Sequence, residues 1–390
     1  MCKNEKNNRL NRKYCSFLYE QFFYDSLYDP TKLRSVALRS RIYAFTFSNL
    51  ECFVDELLSN NETPFVPCLG KRGRKEYSPS PLASQYFGMV PSFIGLVTKL
   101  SPRYEYSERV NAFITCCQAM GLQSEGLDWG RFLSGSKKIY PQFGGVSGAE
   151  LFNTLVKAIR NEWETKKIQV KVNARKREAS ERHIDYCDYA DALFDSDIYN
   201  GCARLVILRL DLGYEKDYAD SMSVFDITKD LNHLLENKRC NNALFGSMTG
   251  YIAKLEYGVD KGVHWHCTFF FDGSKRKNSS HIQLAEDIGK YWVATVTEGR
   301  GAYRNVNDNA DHYEKLGRRG IGIINWYETE LRNNLKTHVI GYLCKVEQFI
   351  RPKWGPKVRL FRRGLYPEKR VNKVGRPRKA LESYTAHDQV

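Results

Sequence analysis

Two histidines one residue apart, His264 and His266, stand in a run otherwise made of apolar and small side chains: Val263-His264-Trp265-His266-Cys267-Thr268-Phe269-Phe270-Phe271. Alternate residues of a strand share a face, so both imidazoles point one way and Trp265 the other. Their Cα atoms lie about 7 Å apart, close enough for both rings to converge on one cation. Just upstream, Lys254-Leu255-Glu256-Tyr257 ends a second strand, and Gly258-Val259-Asp260-Lys261-Gly262 is turn material. Closing that hairpin sets Glu256 across from the pair, which gives two nitrogens and one carboxylate on one sheet face. Two histidines on one face of so apolar a strand are costly without a ligand. The donor set admits phosphoryl chemistry with a divalent cation, two-histidine-one-carboxylate iron chemistry, or structural zinc, although structural zinc calls for a fourth ligand.

About 75 residues downstream, Thr337-His338-Val339-Ile340-Gly341-Tyr342-Leu343-Cys344-Lys345 reads as a helix continuing to Phe349. Tyr342 and Lys345 stand three apart on one face, and His338 lies one turn before Tyr342. A phenol with a pKa near 10 is a poor nucleophile at neutral pH. A neighbouring ammonium and a metal-bound phosphate favour attack by its phenolate form and offset the charge that builds on phosphorus. Asp211, at the end of a further strand, is a candidate supporting partner for the metal side of the sheet. His281 and His312 read as capping or surface residues.

The elements that carry these residues define an α+β domain. Arg204-Leu205-Val206-Ile207-Leu208-Arg209-Leu210-Asp211-Leu212 is a strand closed by Gly213. A helix with Leu231, Leu234 and Leu235 on its apolar face follows. Next come strands over Gly250 to Gly258 and Val263 to Phe271, then helices around Leu284–Trp292 and Thr337–Phe349. Strand, helix, two strands, helix predicts a central antiparallel sheet with flanking helices, carried on one face.

Residues 1–180 are predicted to form a mainly helical domain that ends in a charged linker over Lys166–Arg182. One helix opens at Ser107-Glu108 with Val110, Phe113, Ile114 and Cys117 in a stripe, and stops at Gly121. Leu151, Leu155, Val156, Ile159 and Trp163 mark another. Lys71-Arg72-Gly73-Arg74-Lys75 and Ser78-Pro79-Ser80-Pro81 read as loops. The site domain spans 196–350, and 351–390 is predicted to be a basic, extended arm. From Arg351 to Lys379 there are 12 Lys or Arg against one acid, Glu368.

Sixty Lys plus Arg against 45 Asp plus Glu give the chain a formal net charge of +15. That surplus favours a polyanionic partner, and nucleic acid is the reading taken. No apolar run reaches the roughly 20 residues a membrane span needs. No secretory signal is visible either, so a cytoplasmic protein without a membrane partner is expected. The 11 cysteines include no C-x-x-C pair and read as reduced thiols packed as small hydrophobes.

Over residues 200 to 360 the chain resembles the HUH endonuclease superfamily, on His264-Trp265-His266, the acidic Glu256 and Tyr342-Leu343-Cys344-Lys345. More narrowly it resembles the replication initiators encoded by prophages and inoviruses, through Gly250-Tyr251, Glu256-Tyr257-Gly258, Lys261-Gly262-Val263, Phe271-Asp272-Gly273 and Gly289-Lys290-Tyr291-Trp292. The resemblance implies a Rep-like, RRM-like palm, with strand Leu205–Leu212 as the first family motif. Glu256, His264 and His266 would hold Mn²⁺ or Mg²⁺, Tyr342 would be the nucleophile, and Lys345 would assist it. The implied activity is a nick in single-stranded or hairpin origin DNA. It leaves a 5′-phosphotyrosine and a 3′-hydroxyl that primes the host replication machinery for rolling-circle replication. Tyr303 and Tyr313 are candidates for a second nucleophile. A transposase or conjugative relaxase would use the same chemistry, and a non-catalytic DNA-binding regulator is the alternative outside enzymes. In the arm, Gly375-Arg376-Pro377-Arg378-Lys379 resembles an AT-hook, which implies contact with the narrow minor groove of A·T-rich duplex. Arg376, Arg378, Lys379, Lys353, Arg362 and Arg363 are the candidate DNA contacts.

Overall fold

The computed structural model describes residues 33–70, 73, 75–98, 104–122, 135–219, 221–237, 241–258, 261–276, 280–344, 350–352 and 358–371. Two compact units divide the chain. One comprises 1–174 with 348–353, and the other 175–347 with 354–390. The division at Ala174 falls inside a single helix, Ile168–Phe194 (α1), so the charged stretch read as a linker is helical.

The first unit is mainly helical, as its periodicity predicts. Ser107 caps helix Glu108–Ala119 by accepting the Val110 N–H at 3.2 Å, and Val110, Phe113 and Cys117 are buried. Gly148–Thr165 opens with a reciprocal Ser147–Glu150 capping box and buries Leu151, Leu155, Val156, Ile159 and Trp163. The Ser-Pro stretch read as a loop instead ends a strand, Lys75–Pro79, and starts a helix, Pro81–Tyr86. Ser80 is the N-cap and Pro81 takes the first helical position, where its missing N–H costs nothing.

The second unit is built on a six-stranded sheet. Its strands are Arg204–Tyr214 (β1), Met248–Gly258 (β2), Gly262–Asp272 (β3), Gly301–Asn305 (β4), Gly322–Asn325 (β5) and Phe361–Arg363 (β6). The order is β5-β1-β3-β2-β6, with β4 also on β1, and every pairing is antiparallel. The register sets Glu256 opposite His264, and Lys254 and Asp211 on either side of His266. Gly262 turns the β2–β3 hairpin at φ +63°, a region open to glycine, and a Cβ there would come within 2.9 Å of the Ala219 carbonyl oxygen.

Helices cover both faces of this sheet, a correction to the one-faced arrangement expected. Val206, Leu208, Leu210, Leu212, Leu255, Trp265, Phe269 and Phe271 pack with Ile227, Leu231 and Leu234 of Val224–Glu236 (α2) and Leu284, Ala285 and Ile288 of His281–Tyr291 (α3). On the other face, Leu205, Ile207, Ile252 and Phe270 pack with Tyr186, Tyr189 and Leu193 of α1 and with Leu335, Val339, Ile340 and Leu343. The run Leu205-Val206-Ile207-Leu208 of β1 is the reason, since a strand segment apolar on both faces must be buried on both sides.

The basic arm also differs from expectation. Residues 358–371 are anchored, and β6 forms an edge of the sheet, where Leu255 N–H donates to the Leu360 carbonyl at 2.8 Å. Val358, Leu360 and Phe361 pack against apolar residues, which is why this part of a basic stretch settles on a core. Ile350–Pro352 pairs instead with Tyr104–Tyr106 in the first unit. Residues 372–390, and with them Arg376, Arg378 and Lys379, lie outside the described residues, as does Lys353.

Candidate metal centre

Three neighbouring strands each carry a polar pair two residues apart on the same face: Arg209 and Asp211 on β1, Lys254 and Glu256 on β2, His264 and His266 on β3. Glu256, His264 and His266 are buried, and one ligand atom from each lies within 4.8 Å of the others. Ligands on opposite sides of a cation bound at about 2.2 Å are about 4.4 Å apart, so a small rotation closes the set on one ion. The two imidazole rings stand 4.8 Å apart and nearly perpendicular. A Cβ at Gly213 would press on the His264 Cβ at 3.1 Å, so a glycine on β1 leaves space for that ring. Trp265 points to the opposite face, as predicted, and its indole N–H donates to the Ile227 carbonyl at 3.1 Å.

Each imidazole is oriented by its second nitrogen. His264 Nδ1 lies 3.1 Å from the Gly262 carbonyl, which accepts its proton and turns Nε2 away from it. His266 Nδ1 donates to Asp211 Oδ1 at 2.5 Å, and its Nε2 donates to Glu256 Oε2 at 2.9 Å. Asp211, read from the sequence as a candidate supporting partner, is the carboxylate that accepts from His266 and orients its ring. Lys254 forms an ion pair with Glu256 Oε1 and is itself buried.

The electrostatics follow from these contacts. Burial works against a charged His266, yet Asp211 and then Glu256 raise its pKa to about 9. Burial also opposes the Glu256 charge, but Lys254 and then His266 hold the carboxyl well below the usual range. Asp211 is likewise held low against burial, by His266 and then Arg209. The His266 Nε2 proton, pointed at Glu256, stands where a cation held by these two residues would replace it. Two nitrogens and one oxygen suit Mn²⁺ and accept Mg²⁺.

Tyr342 reaches this face. Its ring stands 5.4 Å from that of His266 at 89°, and the Arg209 guanidinium lies over it at 4.3 Å. The supporting segment is not the plain helix expected. Leu335–Ile340 is a wide π turn, with Gly341 N–H reaching the Lys336 carbonyl five residues back, and it runs into Gly341–Cys344. Such turns recur at functional sites. His338 is exposed on this turn. Lys345 lies outside the described residues.

The two candidate second tyrosines part company. Tyr303 pairs with Leu212 on the opposite face and donates its hydroxyl to Glu286 at 2.6 Å, so it is not brought to the ligands. Tyr313 packs against the same apolar cluster as Tyr342 and lies near enough to Arg209 to act on its charge. Arg362 donates to Asn232 at 2.7 Å, and Arg363 pairs with both Asp185 oxygens at 2.8 and 2.9 Å, which ties both to the fold. Arg209 and Lys254 were not singled out from the sequence. The period-two argument that found the histidines would have found them, because each lies two residues from an acid in an apolar strand.

Among the described residues no disulfide forms, and Cys116, Cys117, Cys267 and Cys344 are buried thiols. No described helix is long and apolar enough to cross a membrane. No protein-family model, no curated protein and no solved structure matches the chain.

Proposed function

We propose that the second unit is a metal-dependent endonuclease that nicks single-stranded DNA through Tyr342. One observation carries the reading: a tyrosine ring packed beside a two-histidine, one-carboxylate cluster whose ligand atoms lie within 4.8 Å. A divalent cation held by Glu256, His264 and His266 supplies Lewis-acid polarisation of the scissile phosphate when bound. Tyr342 Oη attacks phosphorus, the P–O3′ bond breaks, and the strand divides into a 5′-phosphotyrosine and a free 3′-hydroxyl. The phenolic proton passes to solvent, and the 3′ oxygen takes a proton as it leaves. Asp211 keeps the His266 ring in the ligand plane through the cycle, and Lys254 does the same for Glu256. Lys345, three residues past Tyr342, is the proposed ammonium beside the reacting phosphate.

In this reading the biological use is rolling-circle initiation at a single-stranded or hairpin origin, with the 3′-hydroxyl passed to host replication machinery. The basic segment beyond residue 371 adds contacts to duplex DNA. The test is incubation of the chain with single-stranded origin DNA and Mn²⁺. A covalent protein–DNA adduct that survives denaturation and is absent in Tyr342→Phe is expected. A metal-loaded protein that forms no adduct on either origin strand overturns the proposal.

A further inference from the structure

Arg209 stands on the ligand face, one pair along the sheet from Asp211 and His266, and directly opposite Thr268. Among the described residues its side chain makes no hydrogen bond and no ion pair, and Nε is sealed from solvent without a partner. Its contact is the Tyr342 ring, with the guanidinium over the ring face at 4.3 Å. Thr268 Oγ1 beside it is also buried and lacks a hydrogen bond. The nearby carboxylates are engaged elsewhere, Asp211 with His266 and Glu256 with Lys254 and His266.

Asp211 and Glu256 act on its charge through space, yet neither hydrogen-bonds it, and a largely buried guanidinium with unmade hydrogen bonds is costly. The Nη edge of a guanidinium packed over that ring carries N–H donors with no hydrogen bond among the described residues. That edge is a fork that matches two oxygens of one phosphate. We propose that Arg209 is the phosphodiester-binding residue of this site, gripping the non-bridging oxygens of a single-stranded nucleic acid next to Tyr342. This deepens the nicking proposal and rests on it for the identity of the anion. A phosphate held there lies beside the Tyr342 ring and one pair along the sheet from His266, which makes Arg209 a residue that touches substrate rather than a structural one. The neighbouring Thr268 hydroxyl offers a further donor at the same end.

The test measures binding of a fluorescent single-stranded oligonucleotide to the full chain by anisotropy across a salt series. Metal-free and Mn²⁺-loaded samples of wild type, Arg209→Met and Arg209→Lys are compared. Arg209→Met is expected to bind about tenfold or more weakly, the scale of one lost charged hydrogen-bonding contact. The slope of log affinity against log salt should fall by about 0.7, the value for one phosphate contact on a single strand. Arg209→Lys should recover part of the affinity, and Mn²⁺ affinity should stay as in wild type. Melting of the metal-free protein should change little, because the side chain makes no hydrogen bond or ion pair and is tied to Asp211 only through space. Unaltered affinity and salt slope in Arg209→Met overturn the inference. So does displacement of the strand by millimolar inorganic phosphate, which marks a site for the free ion. Where Arg209→Met does not fold, Arg209→Gln carries the same comparison. Adduct formation is read on the same samples. Strand binding through Arg209 without any adduct removes nicking and leaves the binding role, whereas an adduct insensitive to Arg209→Met does the reverse.

Discussion

The two faces of the central sheet are made by the same strands in the same register, yet they differ in kind. One face carries Leu208, Leu210, Leu212, Leu255, Trp265, Cys267 and Phe269 under α2 and α3, with no charged side chain along that stretch. The other begins apolar at Leu205, Ile207, Ile252 and Phe270, then changes to Arg209, Asp211, Lys254, Glu256, His264 and His266. Period two is what allows this division: a strand can hold the fold with every second residue and spend the rest on charge. Two charged carboxylates, an ammonium and a guanidinium on one buried surface lower stability unless they serve a ligand. Substitutions on the first face should therefore act on folding, and those on the second on ligands.

The largest effect is expected from Trp265→Ala, which empties the fully buried indole site next to α2. Denaturant unfolding should show a loss of about 3–5 kcal/mol. A loss under 1 kcal/mol would mean that this face is not the one holding the fold. On the opposite face, His264→Ala removes a ligand. Mn²⁺ affinity measured by calorimetry should drop by an order of magnitude or more, while metal-free stability moves far less than in Trp265→Ala. Equal losses of stability in both variants would erase the distinction between the faces. Asp211→Asn keeps the shape but turns a carboxylate that accepts the His266 proton into an amide. A fall of about 10–100-fold in metal affinity is expected, and an affinity equal to wild type would show that His266 needs no such partner.

The last effect is a pH slope in the metal-free protein. His266 is raised from 6.5 to about 9 on folding, so the folded state binds more protons than the unfolded chain between those values. This contribution to stability is complete below about pH 6.5 and is lost as pH rises through about 9. Bound Mn²⁺ displaces that proton and should flatten the slope. Melting curves with and without metal that run parallel from pH 6 to 10 would contradict the arrangement.

Much of the second face could be read from residue order. Hairpin closure over Gly258–Gly262 and strict alternation locate Glu256, His264 and His266, and Trp265 on the reverse, because strand geometry leaves few choices. Two helices of the first unit were equally plain from their stripes, and one of them from its start at Ser107, whereas the Ser147–Glu150 capping box of the other was not read. Short strands β4, β5 and β6 were not, since three to five residues carry too little pattern to separate strand from loop. The π turn before Tyr342 was hidden for another reason: a shift from four-residue to five-residue hydrogen bonding leaves no mark in side-chain type. The anchoring of 358–371 was masked by charge counting, which registers Arg362 and Arg363 but not that Leu360 and Phe361 lie between a core and a sheet edge.

That edge strand has a consequence for solubility. Without β6 the N–H and C=O groups of β2 around Ile252–Leu255 would line an open border, ready to accept a strand from another molecule. The basic segment therefore acts as a built-in guard against self-association. A version cut before residue 358 should form concentration-dependent oligomers through that border, even with every ligand of the metal centre intact.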